Sequence, residues 1–147
     1  MKVTLNRVNE KFHFQVKNER GYMVDLDKRK EQGGDDLGAS PMELLLMGVA
    51  GCSGIDLIGI LQKQRQEIES YQMEVEGDRT PMGEAKPFTK IHATIFIKGK
   101  VAPKKALKAA ELSFEKYCSV SKTLEPTATV TYSVVVNGEK VTTNGGK

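Results

Sequence analysis

Ser40-Pro41-Met42-Glu43-Leu44-Leu45-Leu46-Met47-Gly48-Val49-Ala50-Gly51-Cys52-Ser53-Gly54-Ile55-Asp56-Leu57-Ile58-Gly59-Ile60-Leu61 is the stretch on which the fold turns. Ser40 is a good N-cap, Pro41 suits the first helical position, and Glu43 stands where a capping box needs an acid. The pattern therefore predicts a helix that begins at Ser40 and runs to about Glu69. From Leu44 to Leu61 it is apolar nearly all round, and such a helix must be covered on every side. A membrane span would also satisfy that need, but Asp56 lies inside the run, four glycines interrupt it, and the chain has no second apolar stretch to pack with it. Gly48, Gly51 and Gly54 instead suggest another backbone crossing closely, including that of a second copy of the chain.

Outward from this helix, strands and helices are sorted by hydrophobic period. Before it, Val3 and Leu5, then Phe12, Phe14 and Val16, then Tyr22, Val24 and Leu26 alternate, with Asn- and Gly-bearing bends between them. A three-stranded antiparallel meander follows from that spacing. Residues 27–39 are polar and glycine-bearing and read as a mobile loop. After the helix, residues 71–76 alternate, residues 77–87 form a loop, and Ile91, Ala93, Ile95 and Ile97 line one face of a further strand. Ala102-Pro103 opens a second helix whose apolar rhythm runs through Leu107, Ala110, Phe114, Tyr117 and Cys118. Val130, Tyr132, Val134 and Val136 mark the last strand, and Asn137-Gly138 begins the polar end of the chain. The order is βββ-α-ββ-α-β, an α+β class with mainly antiparallel sheet. One domain covers residues 1–140, and residues 141–147 form a polar, disordered tail.

The chain has 147 residues, 22 Lys+Arg and 19 Asp+Glu. The signs are interspersed, so no basic stripe of the kind a nucleic-acid backbone requires is formed. The N-terminus alternates like a strand and lacks a signal peptide's apolar block, which points to the cytoplasm. In that compartment a structural disulfide is disfavoured, so Cys52 and Cys118 read as free, catalytic or redox-cycling. Two cysteines and two histidines, His13 and His92, make no zinc pattern. The histidines read as partly exposed strand residues without a role.

For both cysteines the plain alternative is a small buried hydrophobe. Against it, the face of Cys52 also carries Gly48 and Asp56, which leave room and a carboxylate beside the thiol. Asp56 is thus a candidate modulator of the thiol's ionisation, or a polar partner for another chain. A thiolate there needs a cation, because Cys52 is about three turns inside the helix and beyond the reach of its dipole. Arg20, Lys28 and Arg29 are the nearest candidates in sequence.

The segment from Ser40 to Cys52, with a cysteine eleven residues after its proline, resembles the first cysteine motif of the OsmC/Ohr thiol-dependent hydroperoxide reductases. Glu115-Lys116-Tyr117-Cys118-Ser119-Val120 resembles the second. The resemblance implies an OsmC-like fold: an intertwined homodimer with sheets from both chains wrapped around long central helices. It also implies that Cys52 attacks an organic hydroperoxide, that Cys118 resolves the resulting sulfenic acid as a disulfide, and that a dithiol reductant, such as a lipoyl group, reopens it. No metal, cofactor, nucleic acid or membrane is called for. Peroxidase members carry a glutamate directly after the motif proline, orienting an arginine that supports the thiolate. Here Met42 takes that place, Arg20 is the candidate arginine, and Glu43 lies about 180° round the helix from Cys52. The alternative is a dimer that binds an apolar, acyl-like molecule, or senses redox state, without peroxidase turnover.

Overall fold

A computed structural model describes residues 1–141, and the rest of the tail expected from sequence lies outside them. They divide into two compact units, residues 1–45 and those from Leu46 onward.

In the first unit β1 (Val3–Arg7), β2 (Phe14–Asn18) and β3 (Met23–Leu26) form the expected antiparallel meander in the order β1-β2-β3. The loop that follows is more ordered than its composition suggests. Asp27 is buried, and its carboxylate accepts the backbone N–H groups of Lys28 at 2.7 Å and of Asp35 and Leu37 at 3.2 Å. Burial opposes the charge on Asp27, but those three N–H groups outweigh it and hold the carboxyl below its usual range. Only glycine fits at position 34, where a Cβ would lie 1.9 Å from the Lys28 carbonyl oxygen.

Helix α1 spans Pro41–Lys63. Its start is as read from sequence: the Glu43 carboxylate accepts the Ser40 N–H at 2.7 Å, and Ser40 Oγ accepts the Glu43 N–H at 3.3 Å. Its end comes earlier than Glu69. Arg65 turns left-handed at φ 55°, its N–H bonds the Gln62 carbonyl, and the Gln66 N–H bonds the Leu61 carbonyl. That is a Schellman stop. Without the usual glycine it is silent in a sequence of good helix formers.

The second unit holds β4 (Glu67–Arg79), β5 (Phe88–Lys100), α2 (Pro103–Leu112), α3 (Ser119–Leu124), β6 (Thr129–Val136) and β7 (Glu139–Val141). The sheet order is β4-β5-β6-β7, antiparallel except for the β5–β6 pair, with β4 and β5 each longer than read from sequence. Two elements went unread. Asn137-Gly138 is a turn into β7, so Val141 is sheet and not tail, and the second helix breaks before Cys118. Between α2 and α3 lies one π-helical turn, Ser113–Tyr117.

The core joins Val49, Leu57 and Leu61 of α1 with Ala93, Ile95 and Ile97 of β5, Val134 and Val136 of β6, and Ala106, Ala109, Ala110 and Phe114. Only one stripe of α1 is buried, Val49-Ser53-Leu57-Leu61, while Met47 and Ile55 stay exposed. By length and composition alone, α1 could also cross a bilayer.

Removing the Ser40 hydroxyl by Ser40→Ala should cost about 1 kcal/mol of stability, read as a lower urea midpoint. Glu43 is held below the usual carboxylate range first by the Ser40 N–H, which the variant keeps, and next by the Ser40 hydroxyl, which it loses. Its share is therefore present above that range and lost as pH falls through the lowered value, so the deficit of the variant should narrow in acid.

Candidate functional site around Cys52 and Cys118

Cys52 is half-buried about three turns into α1 and one turn after Gly48. The side of α1 at Gly48 is where the chain crosses itself closely: a Cβ there would stand 3.5 Å from Val120 of α3. That neighbour belongs to the same chain. At Gly51 and Gly59 a Cβ would meet nothing within 4 Å.

Cys118 lies between the π-helical turn and α3. Its own N–H bonds the Ser113 carbonyl at 2.8 Å, closing the π register. Its side chain then serves as N-cap of α3, accepting the Ser121 N–H at 3.4 Å and the Ser121 hydroxyl at 3.2 Å. Cysteine here does what serine or aspartate does at most helix starts. The thiol is fully buried, and burial is the largest influence on it, pushing its pKa up. The two Ser121 hydrogen bonds pull the other way, while hydrogen bonding and charge from the Cys52 thiol raise it further. Both cysteines are free, and although 66 residues apart in the chain they lie near enough for Cys52 to influence the ionisation of Cys118.

The other residues singled out in the sequence fall as follows. Asp56, one turn beyond Cys52, accepts a hydrogen bond from the Ser113 hydroxyl at 3.2 Å, so its polar partner comes from its own chain. Arg20 sits in the turn between β2 and β3 with its guanidinium 5.3 Å from the centre of the Tyr22 ring. Arg29 meets Glu43 at 3.3 Å, and the Lys28 ammonium stands 4.0 Å from the Phe12 ring centre. His13 contacts Asp25 at 2.7 Å, and both ring nitrogens of His92 meet hydroxyls, of Thr131 at 2.7 Å and Ser133 at 3.0 Å. Among the described residues no three His, Cys, Asp or Glu side chains gather as a metal site would require.

Two residues were missed, Ser113 and Ser121. The only signal for Ser121 is its place three residues after Cys118, as in a capping pair; Ser113 has none, because a π turn leaves no period in sequence. Along the C-terminal half of α1, the helix and the residues around the π-helical turn frame an open groove of about 630 Å³ lined by Ile55, Ile60 and Leu112 together with Asp56, Lys63 and Tyr117, and neither cysteine lines it.

The model of the OsmC-like protein family matches residues 33–133, which include both cysteines. The chain belongs to that family. It is 38% identical over 102 residues, covering 69% of this chain and 75% of the relative, to Protein YhfA of Escherichia coli strain K12. A hypothetical protein from Aquifex aeolicus VF5 is 31% identical, with a TM-score of 0.75 over 92% of this chain and 96% of that one. An organic hydroperoxide resistance protein OsmC from Legionella pneumophila shares the fold at 20% identity, with a TM-score of 0.70 over 92% and 98% of the two chains. The α+β class is thus that of the OsmC-like fold.

Because Cys52 is half-exposed and Cys118 is buried, a small alkylating agent should label Cys52 at least about tenfold faster in the folded protein, a difference that vanishes in denaturant. Peptide mapping after brief iodoacetamide treatment reads it.

Proposed function

We propose that the protein reduces organic hydroperoxides, with Cys52 as the peroxidatic and Cys118 as the resolving cysteine. The observation that carries this reading is the nearness of a reachable thiol to a buried one, close enough for Cys52 to influence the ionisation of Cys118. The Cys52 thiolate attacks the outer oxygen of the hydroperoxide, the O–O bond breaks, and the alcohol leaves after taking up a proton. Cys52 is then a sulfenic acid. The Cys118 thiolate attacks its sulfur, the S–O bond breaks, and the oxygen leaves as water, giving a disulfide. A dithiol of the lipoyl type reopens it by exchange and is itself oxidised to a disulfide. The reducing cytoplasm, where such dithiols operate, suits the free thiols.

Two further assignments belong to this reading. Arg20 is the cation that supports the Cys52 thiolate, so Arg20→Ala slows the first step. A second copy of the chain covers the apolar side chains that one copy leaves open, such as Met47 and Ile55 on α1 and Val3, Leu5 and Tyr22 in the meander. Light scattering should then give twice the 16.2 kDa of a single chain.

The groove also favours a second reading, in which it holds an acyl-like molecule and the thiols only sense redox state. Met42, in the place of the peroxidases' glutamate, suits that reading because it offers no carboxylate to orient an arginine. Titration of the reduced protein with cumene hydroperoxide separates the two. Rapid loss of both thiols, with a mass lower by the two thiol hydrogens, supports the peroxidase. Loss of that response in Cys52→Ser, and an accumulating sulfenic acid in Cys118→Ser, assigns the roles. Unchanged thiols, with an acyl compound retained in native mass spectrometry, would establish the binding protein instead.

Burial raises the Cys118 pKa, and only its thiolate attacks the sulfenic acid, so the sign of the pH effect follows. Closure of the disulfide should be slow near neutrality and accelerate as pH rises through and above about 8.5, the ordinary thiol value. Stopped-flow kinetics of the second step reads this separately from the first.

A further inference from the structure

We propose that Ser113 is a positioning residue that braces Cys118 against the helix carrying Cys52, with Asp56 as its anchor. The inference rests on reading the two cysteines as a redox pair, and it adds what holds them in register.

Ser113 is fully buried, so its hydroxyl needs a partner within the protein. It finds two acceptors on α1, the Asp56 carboxylate at 3.2 Å and the Ser53 carbonyl at 3.4 Å. Those residues immediately follow Cys52 and follow it by one turn. At its other end, the Ser113 carbonyl accepts the Cys118 N–H at 2.8 Å. A single residue thus links the backbone beside one cysteine to the amide of the other.

The link matters because of the π register. A π turn is rare and occurs mostly as a single inserted turn, often at functional sites. If residues 113–118 relaxed to α-helix, the Cys118 amide would bond Phe114 instead, and Cys118 would rotate by about 100° about the helix axis. Such a rotation carries the thiol away from Cys52 and out of the N-cap position where Ser121 bonds it. The tie to Asp56 fixes the first residue of the turn on α1, and the extra residue then delivers Cys118 to Cys52. Asp56 therefore acts on the thiols through Ser113 and not by touching them.

The test is the thiol–disulfide equilibrium of the pair, which needs no peroxide. Purified wild type, Ser113→Ala, Ser113→Thr and Asp56→Ala are equilibrated with mixtures of reduced and oxidised dithiothreitol. The fraction with an internal Cys52–Cys118 disulfide is read by mass, and urea midpoints are recorded in parallel. In wild type the disulfide forms. In Ser113→Ala and Asp56→Ala the reducing strength needed to open it falls by about tenfold, the scale of one charge-assisted hydrogen bond. Ser113→Thr, which keeps the hydroxyl, stays within about twofold of wild type. Asp56 is half-exposed, so its variant serves if Ser113→Ala does not fold. Equal disulfide stability in wild type and Asp56→Ala overturns the brace, as does a shift in Ser113→Thr as large as in Ser113→Ala. No internal disulfide in wild type overturns both the brace and the redox pair. A disulfide that depends on Ser113 and Asp56, in a protein inert to hydroperoxide, upholds the brace and removes only the peroxidase.

Discussion

A helix that is apolar around its circumference has to be covered around its circumference, and α1 sets this requirement for everything else in the chain. The sheet and α2 cover one stripe of it, Val49-Ser53-Leu57-Leu61. The π-helical turn and α3 approach a neighbouring side, where Gly48 lets Val120 come close and where Asp56 and the Ser53 carbonyl receive the Ser113 hydroxyl. Cys52 lies on that side. Cys52 is therefore located where the chain begins to run out of material to bury its own central helix, and the groove along the second half of that helix is a further stretch left open.

The two cysteines differ in their surroundings more than in their sequence settings. Cys118 has lost water, which disfavours its thiolate, and has gained two hydrogen bonds from Ser121, which partly restore it. Cys52 keeps a path to solvent. A nucleophile must be reached by its substrate, and a resolver gains from being shielded from over-oxidation and from stray disulfide exchange. The division of labour proposed for the pair follows from that difference in access.

Much of the fold was legible. The alternation of the first three strands, the capping box at Ser40 and Glu43, and the inward face of β5 each express a local rule that leaves a period or a spacing in the sequence. Reading failed where the structure used a residue against its local preference. Arg65 ends α1 in a left-handed conformation without a glycine to announce it. The segment read as a mobile loop is held by Asp27, whose three N–H partners come from later residues. The π-helical turn keeps the apolar rhythm of a helix through Phe114 and Tyr117, so the break before Cys118 was invisible.

The sequence by itself determined the family, the order of the elements up to the last short strand, and the two cysteines as the residues to watch. These are carried by motifs, periods and caps, which are properties of neighbouring residues. Only the tertiary structure decided that the thiols meet, that one is buried and the other is not, and that Asp56 answers to Ser113. Those placements join residues 57 to 66 positions apart. No local preference encodes such a contact, because its energy is realised only once α1, the turn and the sheet have packed together.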